Sequence, residues 1–491
     1  MTYYEEGVYA RGILIILSAI LRIAAIMGLT LLLPGIVAIM YGEFYEARIF
    51  MITSALAFSI PFTIGLFLPT PRAITLGEAL LISGISWIIV AIIGAIPYVY
   101  TIKMTWVDAF FESMSGFTTT GMTLIKVIEG NPKSVLFWRA LTQWLGGTGI
   151  IMLFLVFITA STRDVTLWRL YVAEAREVRI RASTWGTVKN IWLIYFGYTI
   201  ACILALRMLG LSWFDAVTHS FTALATGGFS TRTASIAAFK NPAVEMTLAF
   251  FAFMGGTNFL AHYVLFKYGL RRFLKYYEVK AAIIFVFIST ILIVFDLMHH
   301  IGIDLYNAVR YAIFQTISIM TTTGYTTADI NMWPPLSKLI LLILMFIGGN
   351  LCSTGGAIKV GRIVAAIKVM ANQLQALFLP PGTVKPIRVG SQILESGEVL
   401  RLFTFFTAYF IGIIVGTAIL TAYGYDPFQS LSAVASAQGN VGPCYLNLFE
   451  LNDVCRVLLA LHMWLGRLEL IPAIALLVPS SWTHAFKKRV R

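Results

Sequence analysis

The sequence predicts an all-α membrane protein built from four covalently linked repeats in pseudo-fourfold arrangement, preceded by a two-helix N-terminal segment. Each repeat is read as a span, a re-entrant half-helix with its loop, and a second span. Three observations lead there. Of 491 residues, 58% are hydrophobic and 12% charged, with a mean hydropathy of +0.83. Ten apolar stretches are span candidates, a membrane helix needing about 20 residues. Four of the connections between them carry one pattern: an Asp or Asn, an apolar stretch, then a small-residue run closed by glycine.

This composition excludes a soluble enzyme, and about ten spans leave no room for a large soluble domain. The net charge of +13 would suggest nucleic acid in a soluble chain. Here the basic residues lie in short connections between apolar stretches, where membrane lipid and topology account for them and no nucleic acid is expected. Cys202, Cys352, Cys444 and Cys455 show no metal or redox spacing and imply no disulfide framework, a Cys444–Cys455 bridge being left open. The first apolar run follows Glu5 and Glu6 and outlasts a signal-peptide core, so it reads as a retained helix.

In chain order the candidates cover 13–40, 47–68, 77–100, 135–160, 191–211, 243–266, 281–298, 336–347, 403–421 and 454–478. Arg11, Arg72 and the connections 163–189, 267–280, 359–401 and 487–491 together hold 23 of the 36 Lys and Arg residues, all on one side of these spans. The excess of positive charge marks that side as cytoplasmic and puts both termini there. The units are then 1–71 for the N-terminal pair, 72–162, 163–266, 267–372 and 373–491 for the repeats.

On the opposite side the four inserts run from Asp108 to Gly121, Asp215 to Gly228, Asn307 to Gly324 and Asp426 to Gly442. The first two are 13 residues from acid to glycine, and the four glycines recur at intervals of 107, 96 and 118 residues. Irregular backbone at bilayer depth survives only where protein buries it or water lines it, so four such loops imply one shared wet axis. The leading Asp or Asn is read as the N-cap of a half-helix whose carbonyl end points inward, where a cation would sit. The closing glycine adopts angles that a residue with Cβ resists and turns successive carbonyl oxygens toward the axis.

Those repeats resemble the Trk/Ktr/HKT superfamily of potassium transporters, and the two extra helices ahead of them resemble its TrkH branch. The resemblance implies four M1-pore helix-M2 repeats and a selectivity filter binding potassium at Thr119, Thr120, Gly121, Thr226, Gly227, Gly228, Thr322, Thr323, Gly324, Asn440, Val441 and Gly442. Glycine at all four closing positions implies preference for potassium over sodium. Potassium is substrate here, and no cofactor is expected on this chain. The resemblance also implies a homodimer in the cell membrane and a cytosolic nucleotide-binding regulatory ring, TrkA-like, since the chain lacks a nucleotide fingerprint of its own. Cys444 departs from the small glycine common in the family after Val-Gly-Pro.

Two further features fit a gate. The run Gly348, Gly349, Asn350, Leu351, Cys352, Ser353, Thr354, Gly355, Gly356, Ala357, Ile358, Lys359 carries four glycines. At about 1 kcal/mol each relative to Ala, they disfavour helix by roughly 4 kcal/mol. The structural alternative is a close helix crossing through small residues. Arg467 lies inside the last apolar stretch, where a central Arg costs about 2.5–3.5 kcal/mol and must find a partner. Glu469, two residues away, does not share its helix face, so the partner is expected elsewhere, a carbonyl of the glycine loop or an acid on another helix. In the family the loop obstructs the path beneath the filter and the Arg forms a positive barrier.

Glu112 is read either as negative potential near the filter or as a backbone partner behind it. The six histidines show no ligand spacing, and Trp106, Trp213 and Trp333 read as interfacial anchors. The expected function is potassium uptake through a central pore. Sodium- or proton-coupled symport and, from another class, a secondary transporter of an organic solute are the alternatives; no enzymatic activity is expected.

Overall fold

A computed structural model describes residues 3–69, 74–149, 184–380, 385–390, 392–478 and Trp482. The described residues are mostly helical. Among the described residues, six helices are long and apolar enough to cross a membrane. Two of them, 12–40 and Phe44–Leu66, form the N-terminal pair, and four, Leu76–Thr101, Trp185–Met208, Tyr277–His300 and Ser396–Ala422, each open a repeat. Arg72, the stretch 163–183, the end of the 135–160 candidate and the basic tail 487–491 lie outside the described residues.

After each opening helix comes a short re-entrant one: Trp106–Phe117, Trp213–Leu224, Leu305–Met320 and Pro427–Gly439. Their caps correct the sequence reading. Thr105, Ser212 and Asp304 are the N-caps, accepting from the backbone N–H groups of Asp108, Asp215 and Asn307, three residues on. Only Asp426 caps as expected, accepting from Gln429. Asp108 and Asp215 therefore sit in the first turn, where a negative charge still favours the positive end of the helix. The N-cap leads because its extended backbone aims the side-chain oxygen at the free N–H groups.

The second helix of each repeat is where expectation and structure part. A break was expected only in the third. It is there: Pro335–Ile347 and Val360–Ala376 are separated by the non-helical residues 348–359. But Pro242–Gly255 and Phe259–Tyr268 also meet at a bend of 102°. Asp453–Arg467 is likewise parted from Ile471–Leu477 by three residues, with Glu469 and Leu470 at positive φ. In the first repeat Lys133–Thr148 stops at Gly149, the limit of the described segment.

Buried polar pairs fasten these elements together. Glu112 and Arg139, both buried, pair at 2.9 Å, and Glu112 also accepts from Thr123 Oγ1 and Leu124 N. Glu112 thus bonds backbone behind the loop. Glu245 pairs with Arg310 between the second and third repeats, and Asp108 with Arg456 between the first and fourth, at 2.9 Å. Glu43 of the N-terminal pair accepts from Ser134 N at the start of the first repeat's second helix. Trp106 and Trp213 are more than half exposed, as anchors would be, whereas Trp333 is buried at 5% exposure. Cys444 and Cys455 are unbridged thiols. Between Val360–Ala376 and Ser396–Ala422 lies a small antiparallel hairpin, Ile387–Val389 against Gln392–Leu394, which the sequence reading did not anticipate.

Candidate functional site

From N-cap to closing glycine the four inserts measure 16, 16, 20 and 16 residues. The third is longer by one helical turn. From the last turn of the short helix onward the four backbones follow one course. Two residues before each glycine, Thr119, Thr226, Thr322 and Asn440 all take the left-handed conformation, with φ of 58°, 52°, 59° and 53°. The glycines themselves, Gly121, Gly228, Gly324 and Gly442, have φ of 83°, 77°, 80° and 108°. Left-handed backbone costs an L-residue roughly 1–2 kcal/mol, so four repetitions of it mark a geometry held in place from outside the loop.

The fastening is itself repeated. The residue before each glycine (Thr120, Gly227, Thr323, Val441) donates its N–H to a carbonyl within the short helix, that of Ser115, Thr222, Ser318 or Ser436, at 2.8–2.9 Å. These four hydroxyl residues form a column six positions before each glycine. Ser115 and Ser318 donate onward to the carbonyls of Met122 and Tyr325, and Ser436 accepts from Gly442 N.

The loops close on one another. A Cβ placed on Gly121 would collide with the carbonyl oxygen of Gly227, one on Gly228 with that of Thr323, and one on Gly324 with that of Val441. One on Gly442 would lie 2.6 Å from that of Thr120. The cycle runs through all four repeats and returns to the first. The four glycines also line one cavity of about 500 Å³, walled farther out by segments leading to the second helices. The contacts between successive loops at the four glycines are thus made by backbone carbonyls.

The glycine-rich loop lies against the left-handed residues of this ring. Its ends are pinned together by Lys359 N to Ile347 O at 2.8 Å and Val360 N to Gly349 O at 2.9 Å. Gly348 and Lys359, at φ of 74° and 81°, make the two turns. Ser353 Oγ donates to the Asn350 carbonyl and accepts from Gly355 N. Thr226 Oγ1 is 3.0 Å from Thr354 Oγ1, and Gly356 N donates to Thr322 Oγ1 at 2.9 Å. A Cβ on Gly356 would meet Asn440 at 3.0 Å. Thr119 is approached by Arg467, whose Nη1 lies 3.5 Å from Thr119 Oγ1 and donates to Thr354 O at 2.9 Å. Each of the four left-handed residues is therefore touched by the loop or by Arg467. The other Arg467 nitrogen, Nη2, donates to the carbonyls of Gly146 and Gly147. Lys359 pairs with Glu469 at 2.7 Å, beside Arg362, which pairs with the same acid.

A profile described as "Cation transport protein", that of the TrkH family, matches residues 48–484. The chain belongs to the TrkH family. The Trk system potassium uptake protein TrkH of Salmonella typhimurium is 34% identical over 476 residues, covering 92% of this chain and 96% of its own. An uncharacterized cation transporter of Methanocaldococcus jannaschii is 33% identical over 471 residues, covering 95% and 94%. Among solved structures, the crystal structure of the potassium transporter TrkH from Vibrio parahaemolyticus superposes with a TM-score of 0.85 at 32% identity, covering 96% of this chain and 99% of the other.

In this TrkH-family chain a second fourfold column accompanies the closing glycines, and sequence reasoning missed it. Gly147, Gly256, Gly349 and Arg467 follow Gly146, Gly255, Gly348 and Gly466 at the ends of Lys133–Thr148, Pro242–Gly255, Pro335–Ile347 and Asp453–Arg467. A Cβ on Gly146, Gly255 or Gly466 would collide with a carbonyl at the end of its repeat's short helix, that of Phe117, Leu224 or Gln438, each four residues before the closing glycine. In the first, second and fourth repeats the small residue lets the second helix touch the base of its own loop, whereas Gly348 of the third packs against Gly356 and Ala357 of the glycine-rich loop; Arg467 replaces the second glycine in the fourth repeat alone. Glu469 was missed as the shared partner of Lys359 and Arg362. Arg139, inside an apolar run, could have been found from the same argument that singled out Arg467.

Proposed function

We propose that this chain takes up potassium across the cell membrane through the axis of the four loops. The loops, Thr119 to Gly121, Thr226 to Gly228, Thr322 to Gly324 and Asn440 to Gly442, act as the selectivity filter. The observation that carries the reading is the closed cycle of glycine-to-carbonyl approaches between successive repeats. Such a ring offers uncharged oxygens at fixed spacing, which replace the water shell of a monovalent cation without binding it too tightly to leave. The relatives' names as potassium uptake proteins support the choice of ion.

The glycine-rich loop and Arg467 act as the gate. Closed, the loop's hydroxyl and N–H groups satisfy the inner side chains of the ring, and the Arg467 guanidinium places positive charge where the leaving cation would pass. Opening requires those bonds to be exchanged for water and ion. An inside-negative potential of 100 mV supplies about 2.3 kcal/mol per charge, enough to drive accumulation without a coupled ion. Both termini cytoplasmic, a homodimer and a cytosolic nucleotide-binding partner complete the proposal. Their support is the charge distribution of the sequence and the Trk system to which the relatives belong.

The test is rubidium-86 uptake into proteoliposomes under an imposed potassium diffusion potential. Uptake that follows the potential and is competed by potassium supports the proposal. A reversal potential set by the sodium or proton gradient would replace it with coupled symport, and absence of cation uptake, with the gate disabled by Arg467→Ala, would remove it.

A further inference from the structure

One fully buried carboxylate has no part in the account so far. Glu278 lies in the first turn of Tyr277–His300, at 0% exposure. One of its oxygens accepts from Asn258 Nδ2 at 2.8 Å. Asn258 stands at the bend of the second repeat's broken helix and already caps Phe259–Tyr268 through its own Oδ1, which accepts from Leu260 N. The cap is therefore complete without Glu278. The carboxylate also packs beside Leu351, in the first half of the glycine-rich loop, for Glu278 Oε1 and the Leu351 side chain together bound the Cβ position of Gly361, just past the loop's far end. Its Oε1 presses on Gly361, where a Cβ would collide with it. The hydroxyl of Tyr277 lies 3.5 Å from the same oxygen, and the Tyr277 ring packs on Gly390 at the turn of the small hairpin.

We propose that Glu278 is the positioning residue that clasps the glycine-rich loop by both ends and holds it against the inner face of the ring. The inference rests on the gate reading above and names a residue that reading does not require. Burying a carboxylate is unfavourable unless several partners meet it. Here the partners belong to three separate pieces: the bent helix of the second repeat, the entry of the loop, and its exit with the following helix. A group that served one helix alone would not need to reach all three. Removing its charge leaves Lys359 paired with Glu469 but frees the loop's entry from the second repeat. The loop then leaves the ring more readily, while the ring's own oxygens stay where they were.

The experiment compares Glu278→Gln, Glu278→Asp and Arg467→Ala with the unaltered full chain in liposomes, reading rubidium-86 uptake against rubidium concentration, and melting temperature in detergent. For Glu278→Gln the expected result is a maximal uptake raised by about threefold or more, the shift that losing one contact of modest net strength produces. The half-saturating rubidium concentration should stay unchanged. Glu278→Asp, which keeps the charge on a shorter stem, should show a smaller rise, and it decides the matter if the Gln variant does not fold. Unchanged uptake in both Glu278 variants while Arg467→Ala raises it overturns the clasp and leaves the gate standing. No rise in any of the three removes the gate reading, and the clasp with it. A fall in uptake that tracks a fall in melting temperature, or a change confined to half-saturation, also overturns the clasp.

Discussion

Arg467 Nη1 donates to the carbonyl oxygen of Thr354 at 2.9 Å, joining the helix break of the fourth repeat to the glycine-rich loop of the third. Through its other nitrogen the same guanidinium holds the carbonyls of Gly146 and Gly147 in the first repeat. One side chain thus spans three repeats directly beneath the ring. It stands where the other three have glycine.

Replacing Arg467 by Ala removes these charge-assisted bonds together with a positive charge on the exit path. Basal potassium flux should rise by about tenfold, equivalent to some 1.4 kcal/mol. Flux assays at matched protein content check it; equal or lower flux would make Arg467 a structural strut and no barrier.

Gly121→Ser should lower the ratio of potassium to sodium permeability. The new Cβ meets the Gly227 carbonyl in a backbone at φ 83°, so strain of roughly 1 kcal/mol or more adds to the collision, and the two loops must move apart. Bi-ionic reversal potentials read the ratio directly.

Glu112→Gln should lower the melting temperature by several degrees, because unpairing a buried Arg139 costs about 3–5 kcal/mol. Replacing both partners by apolar residues of similar volume should recover most of the loss. Equal melting temperatures for the single variant and the parent would show that Thr123 Oγ1 and the Ser230 carbonyl suffice to hold the arginine.

Outside the membrane, Glu129 accepts from Thr233 N at 2.7 Å and from its hydroxyl, tying the first outer connection to the second. These hydrogen bonds hold its carboxyl below the ordinary carboxylate value of 4.5. A depressed acid contributes stability above its unfolded pKa and loses it as pH falls through the folded one. Amide exchange in residues 126–131 should therefore be slow at neutral pH and accelerate, after correction for intrinsic rates, only below about pH 4.5. Acceleration beginning at pH 6 would point to another group.

The ring was legible in the sequence because it needs glycine at four matching places, and glycine in an apolar setting stands out. The caps were less so. Asp108 and Asp215 are conspicuous, yet Thr105 and Ser212 three residues earlier hold the helix ends. The doublets Gly146-Gly147 and Gly255-Gly256 sit in apolar runs that read as unbroken spans, and only the packed structure shows carbonyls of the short helices filling the space that side chains would need. For Arg467 the choice between a carbonyl and an acid was open, and position in three dimensions decided it. The hairpin 387–394 is too short for alternation to register.

The most direct test of the central claim is to locate the ion. Thallium-soaked crystals of the protein, measured for anomalous scattering, should show a peak on the common axis at coordination distance from the carbonyls of Thr120, Gly227, Thr323 and Val441. A transport-active protein whose thallium peaks all lie away from that ring would contradict it.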